Sequence, residues 1–169
     1  MLIRDALLPE FDQETATTRR LLKRIPDNKF SFKPHPKSMD MASLATHLCE
    51  LTNWTTETIA KDSIDLAAYD PSQRKIAASR AELLGMFEKS VAAGRAALAS
   101  AENEQLMQPW SLKSGDKVFF TMPKVVVLRT FVFNHCVHHR GQLSVYLRLN
   151  DIPVPAIYGP SADDPGGMA

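Results

Sequence analysis

The stretch NHCVHHRGQLSVYLR, residues 134–148, places His135, His138 and His139 within five positions of a segment with helical spacing. A surface helix gains little from so much imidazole, and a hydrophobic core normally excludes it. Residues four apart lie on one face of a helix, with Cβ atoms roughly 5–6 Å apart. His135 and His139 can therefore direct their rings at one metal ion. His138, three residues after His135, is a geometric substitute for His139.

Outward from this segment, the spacing of apolar residues predicts four helices. They run from about 7 to 25, from 40 through 54, from 79 to about 101, and from about 123 to 150. Ser38 or Asp40 can cap the second helix by accepting hydrogen bonds from its free amides. Ser79 and Glu82 have the spacing of a capping box at the start of the third helix.

The long connection between the third and fourth helices, residues 102–122, has a different composition. It contains Trp110, the turn sequence SGDK and the trio Val118-Phe119-Phe120, which together allow a small hairpin. Four helices, one crossover and no series of strands predict an all-α fold, a four-helix bundle. We expect a single domain over residues 1–169. Residues 151–169 form its extended C-terminal tail, because the prolines there cannot continue a helix.

Composition excludes several classes of function. The chain has 169 residues, of which 44% are hydrophobic and 23% charged, as in soluble globular proteins. Its net charge of +1 gives no broad field that would attract nucleic acid or an acidic membrane. No apolar run approaches the ~18 residues that span a bilayer, and the N-terminal residues lack the core of a signal peptide. We therefore expect a cytoplasmic protein whose two cysteines, Cys49 and Cys136, are packing residues.

The third ligand of a metal site must come from outside the last helix. His35 lies in a proline-rich loop, where an imidazole is easily solvated, whereas His47 lies mid-helix between Leu44 and Leu51. The helical interpretation favours His47 together with the histidine pair. Three histidines leave a coordination position free, as in catalytic zinc sites. A di-iron site is less plausible because no glutamate precedes a histidine by three residues.

Four neighbours are candidates for supporting the ligands or lining a pocket. Metal-bound imidazoles normally donate their second N–H to a carboxylate or carbonyl. Glu50 lies one turn after His47, and Gln142 is near the helical phase of His135. Trp54 is a candidate for lining the pocket, but its position in the helical pattern of apolar residues also suits packing in the core. For Arg140 we consider three roles: binding an anionic substrate, forming a salt bridge, or making a dimer contact.

Two longer stretches, NHCVHHRGQLSVYLRLNDIPVP and FKPHPKSMDMASLATHLCEL, resemble the DinB/YfiT-like family of damage-inducible bacterial proteins. The resemblance extends over nearly the whole chain. It implies a four-helix bundle, often a homodimer, that binds a divalent metal such as nickel or zinc through three histidines. Transferred to this sequence, those ligands are His47, His135 and His139, and His138 becomes a neighbour of the site.

The resemblance also implies a range of activities. Members with assigned chemistry resemble S-transferases or isomerases that use low-molecular-weight thiols, so we expect a metal-dependent transferase that activates a small thiol. A hydrolase that uses metal-bound water, and a non-catalytic metal-binding or stress-response protein, are the alternatives. The family name refers to induction by DNA damage and does not imply that the protein binds DNA.

Overall fold

Most of the described chain, residues 2–165 of a computed structural model, is helical. The main helices are α1 (Ile3–Leu22), α2 (Met41–Ala60), α3 (Arg80–Ser100), α4 (Asn103–Met107), α5 (Lys124–Val127) and α6 (Asn134–Arg148). Met1 and residues 166–169, the end of the tail expected from the sequence, lie outside the described residues. Within residues 2–165, no helix combines the length and hydropathy needed to cross a membrane.

Side-chain caps fix where α2 and α3 begin. Asp40 accepts a hydrogen bond from the amide of Ser43 at 2.7 Å, so the cap of α2 is Asp40 and not Ser38. Ser79 accepts from the amide of Glu82 at 3.2 Å, which confirms the predicted start of α3. Each cap satisfies a backbone donor that the first helical turn leaves free. The cap on α2 determines the position of His47, about two turns into that helix.

The prediction of an all-α fold is wrong for the connecting segments, which form a three-stranded sheet. The strands are β1 (Ser63–Asp65), β2 (Pro109–Ser114) and β3 (Lys117–Pro123), in the order β1-β2-β3. β2 and β3 pair as an antiparallel hairpin around Gly115, whose φ of 58° suits glycine. β1 pairs in parallel with β2, and the Asp65 carboxylate accepts from the Gly115 amide at 2.9 Å. A strand of three residues is too short to produce an alternating sequence pattern.

A close approach of α3 to α1 and α2 sets the position of α2. A Cβ atom added to Gly94 would lie 3.1 Å from the ring of Phe11 and 3.2 Å from the carbonyl oxygen of Thr52. Any larger residue would push the Phe11 ring or the backbone of α2 away by a few tenths of an ångström, so glycine allows the closest packing here. Large side chains that are fully buried include Phe11, Leu21, Leu44, Leu48, Leu51, Leu83, Phe87 and Trp110.

The last helical rod is not regular. A π-helical segment, Leu128–Phe133, lies between α5 and α6. It widens the turn and changes the face to which the residues before His135 point. α6 ends where Asp151 adopts a left-handed conformation with φ of 56° and the Ile152 amide donates to the Leu147 carbonyl at 3.0 Å. The helix therefore ends before the first proline of the tail.

Candidate metal centre

Three imidazoles meet between α2 and α6. His47 comes from α2, and His135 and His139 come from successive turns of α6. One nitrogen from each ring lies within 4.8 Å of the other two. The Nε2 atoms of His135 and His139 are 2.8 Å apart, and the centroid of the His47 ring is 4.7 Å from that of His139. The structure thus brings together the three residues that the sequence proposed as ligands.

Two of the three rings use Nδ1 for a contact with a side-chain oxygen. His47 Nδ1 is 3.0 Å from Glu50 Oε2, and His139 Nδ1 is 2.7 Å from Gln142 Oε1. Because an ionised carboxylate only accepts hydrogen bonds, the proton of His47 lies on Nδ1 and its lone pair on Nε2. The Nε2 atoms of His135 and His139 face each other.

This donor set fits a divalent cation. Bonds of ~2.0–2.1 Å in tetrahedral geometry place neighbouring ligand nitrogens about 3.3 Å apart. The separations of 2.8 Å to at most 4.8 Å bracket that value. Two ring nitrogens at this distance need either a proton on one of them or a cation between them. The residues present are therefore suited to hold one ion.

The electrostatics keep the ligands neutral. Burial lowers the pKa of His139 to about 4, against the opposing effect of its hydrogen bond to Gln142. Burial and the neighbouring His47 also lower the pKa of His135. Near neutral pH both rings are uncharged, which is the form that binds metals.

The Glu50 carboxylate belongs to a second layer of contacts around the imidazoles. Burial favours a higher pKa for Glu50, but the hydrogen bonds from His47 and Arg74 outweigh it and lower the pKa. Arg74 donates to both carboxylate oxygens, through Nε at 2.6 Å and Nη2 at 2.9 Å. Sequence spacing did not identify Arg74, because it lies in a loop 24 positions from Glu50.

The remaining candidates have other places. His138 is exposed, and its ring centroid lies 4.8 Å from that of His139, outside the convergent set. Trp54 is half-buried and packs against the apolar cluster that contains Phe133. Gln142 contacts His139 and not His135, because Gln142 and His139 are three residues apart on α6. His35 is exposed in its loop.

Comparisons with known proteins agree with this architecture. A family model described as the DinB family matches residues 2–166. A DinB-like protein from Bacillus cereus ATCC 10987 superimposes with a TM-score of 0.72 at 21% identity, over 93% of this chain and 98% of that one. A DinB-like protein from Bacillus subtilis gives a TM-score of 0.68 at 19% identity, over 86% and 92% of the two chains. No curated protein matches the chain.

Proposed function

The chain belongs to the DinB family, and on that premise we propose that it binds a divalent metal ion and activates a small thiol for S-transfer. His47, His135 and His139 would hold the ion, within a four-helix bundle typical of the family. The observation that carries the proposal is the convergence of one nitrogen from each of three imidazoles within 4.8 Å, with the Nδ1 atoms of His47 and His139 engaged by Glu50 and Gln142.

Nickel or zinc suits the donor set, since neutral imidazole is a good ligand for both. Three protein ligands leave a coordination position for a small molecule, in contrast to closed structural sites with four. When bound, the ion would act as a Lewis acid that lowers the pKa of a coordinated thiol or water.

The charges around the three histidines favour an anionic ligand. Imidazoles contribute no negative charge, and the charge of Glu50 is paired with that of Arg74. The surrounding residues therefore leave the positive charge of a bound ion uncompensated. A thiolate would be attracted to it, and its proton would pass to solvent.

Thiol activation is favoured over hydrolysis by the state of the nearby carboxylate. Metallohydrolases with the H-E-x-x-H motif use a free glutamate as general base. Here Glu50, the carboxylate that touches the imidazoles, already accepts from His47 and Arg74. It has no remaining role as a base toward water. Hydrolysis is the second candidate, and binding without turnover is the third.

A small molecule has access to this place in the fold. The side chain of His47 is 21% exposed and that of Glu50 is 29% exposed, whereas His139 is buried. The cluster is thus anchored on the α6 side and reachable from solvent beside α2. This arrangement suits a compact ligand such as a thiol.

Metal analysis of three proteins tests the ligand assignment. We expect about one ion per wild-type chain. We expect His135→Ala to lose it, because removal of one of three ligands weakens binding by roughly a hundredfold or more. His138→Ala is the matched control, since this histidine is adjacent in sequence but outside the set. Equal metal retention by both variants would refute the assignment.

A thiol assay tests the reaction. Metal-loaded protein is mixed with glutathione, cysteine, bacillithiol or mycothiol and an electrophile such as an alkyl chloride or an epoxide. Metal-dependent consumption of thiol, lost in His135→Ala, supports S-transfer. Cleavage of an ester or amide without thiol supports hydrolysis instead. Silence across the whole panel supports a non-catalytic role.

We also propose that the protein is a cytoplasmic homodimer. The exposed face of α6 carries Val137, Val145 and Leu149, with Gly141 between them, and such apolar stripes favour association. Cys49 and Cys136 are both free, as expected in a reducing compartment. Light scattering of wild type and Val145→Glu tests the dimer: the wild type should have twice the mass of the variant.

A further inference from the structure

The loop between β1 and α3 reaches back to α2 beside His47. Within it, Arg74 donates to both oxygens of Glu50 and also, through Nη2, to the carbonyl of Ser43 at 3.2 Å. Such a two-pronged contact restrains a carboxylate more strongly than a single bond does. Arg74 therefore fixes the orientation of the Glu50 carboxylate on the surface of α2.

Glu50 passes this orientation on to a metal-ligand candidate. Its Oε2 atom is shared between Arg74 and the Nδ1 of His47, which lies 3.0 Å away. An ionised carboxylate can only accept hydrogen bonds, so the His47 proton must lie on Nδ1. The lone pair of Nε2 is then directed toward His135 and His139. Without this contact, His47 is free to exchange its two nitrogens by rotation or to shift its proton.

We propose that Arg74 is a positioning residue of the metal centre, which acts through Glu50 to hold His47 with Nε2 facing the other two imidazoles. This inference rests on the proposed function. Arg74 lies in a loop that carries no metal ligand and is outside the helices that carry the histidines, so a separate segment would help to orient the ligands.

The loop also contacts α2 without Arg74. The amide of Ala77 donates to Thr46 Oγ1 at 3.1 Å, and Ala77 is buried. Asp65 and Asp70 make local bonds to amides in the same loop. A variant that lacks Arg74 therefore keeps one hydrogen bond from the loop to α2 and the loop's own turns.

A pair elsewhere in the fold provides a matched control. Arg19 donates to both oxygens of Glu88, through Nε at 2.6 Å and Nη2 at 2.8 Å, which is the same two-pronged geometry. The Arg19 pair joins α1 to α3 and does not include a histidine. Arg19→Ala therefore removes the same kind of ion pair from the protein without touching the proposed centre.

Affinity for nickel, measured by competition with a chelator, is the first readout. We expect Glu50→Ala to weaken binding about 10- to 100-fold, the usual cost of losing a hydrogen-bond partner of a metal-bound histidine. Arg74→Ala should weaken it about tenfold, in the same range. Arg19→Ala should bind like the wild type. Glu50→Gln keeps the size of the side chain and provides a second variant if Glu50→Ala does not fold.

The tautomer of His47 is the second readout, and a purely structural ion pair would not change it. Long-range ¹H–¹⁵N spectra of the metal-free protein, recorded about two pH units above the ordinary imidazole pKa of ~6.5, show which nitrogen carries the proton. We expect an Nδ1–H form in wild type and Arg19→Ala, and a mixture in Arg74→Ala and Glu50→Gln.

The two readouts separate this inference from the proposed function. If wild type binds nickel and Arg74→Ala binds it equally well with His47 still in the Nδ1–H form, the inference is wrong and the metal site stands. If wild type binds no metal, the proposed function fails. In that case the spectra of metal-free protein still decide whether Arg74 controls His47.

Discussion

Two polar clusters start from adjacent residues of α6, His139 and Arg140, and extend over different faces of the helix. Arg140 is buried and contacts the carbonyl of Glu14 at 2.8 Å, the Glu14 carboxylate and the hydroxyl of Tyr158 in the tail. Its two Nη atoms face acceptors and its positive charge faces a negative one, whereas its buried Nε has no partner among the described residues. In the His139 cluster, three imidazole nitrogens face one another without a carboxylate among them.

The Arg140 cluster contains its own ion pair, and it ties α1 and the tail to α6. The histidine cluster contains no opposite charge among its three converging nitrogens, and this is the reason for proposing that it takes up a cation. For Arg140, of the roles considered from the sequence, the structure shows the salt bridge. His139 and Arg140 are adjacent and both are buried, so burial alone does not distinguish them. They differ in whether the protein supplies a partner of opposite charge.

The largest expected effect is loss of stability when the Arg140 cluster is broken. Arg140→Ala leaves the half-buried Glu14 carboxylate with only the Tyr158 hydroxyl as a donor, which costs up to about 3–5 kcal/mol in the free energy of unfolding. Urea unfolding of metal-free protein measures this cost. Arg95→Ala, which removes an exposed pair with Asp12, should cost much less, because solvent screens such a pair. Equal losses in both variants would contradict the distinction between the clusters.

A smaller effect is expected when the histidine cluster is protonated. The pKa of His139 is lowered to about 4 in the folded protein, below the ~6.5 of an unfolded chain. Between these values the unfolded state binds the extra proton, so the free energy of unfolding falls as the pH falls from about 6.5 to about 4. In metal-free protein, the free energy of unfolding should fall more steeply with falling pH in wild type than in His139→Gln. Parallel curves would show that His139 does not titrate in this way.

The smallest effect is expected at the two thiols of the protein itself. Burial raises the pKa of both Cys49 and Cys136 to about 12, so almost no thiolate forms near neutral pH. Native protein should react with a thiol reagent only as fast as it unfolds, with or without metal. Fast labelling of either cysteine in the folded state would reopen the possibility of a nucleophile within the chain.

The sequence contained the information for the histidine cluster because two local rules apply to it. His135 and His139 are four residues apart in a helix, and His47 lies between Leu44 and Leu51 in another helix, at the edge of its buried face. The structure places these rings together, and their binding of a metal stays a prediction. The family resemblance is confirmed by the match over residues 2–166.

The features that the sequence did not reveal depend on tertiary contacts. The π-helical segment changes the helical phase before His135, so the faces of residues upstream of it cannot be counted at 3.6 residues per turn from the histidines. The three residues of β1 form a strand only because β2 lies beside them. Arg74 meets Glu50 because the loop folds back, which no local spacing records.

X-ray absorption spectroscopy of nickel- or zinc-loaded protein tests the central claim most directly, because it reports the atoms bound to the ion. The account predicts three imidazole nitrogens at ~2.0–2.1 Å for zinc, and a light atom or an added thiol sulfur in the remaining position. His138→Ala should give the same spectrum. A spectrum with two imidazoles or fewer, or one unchanged by His47→Ala, would contradict the sharing of one ion by His47, His135 and His139.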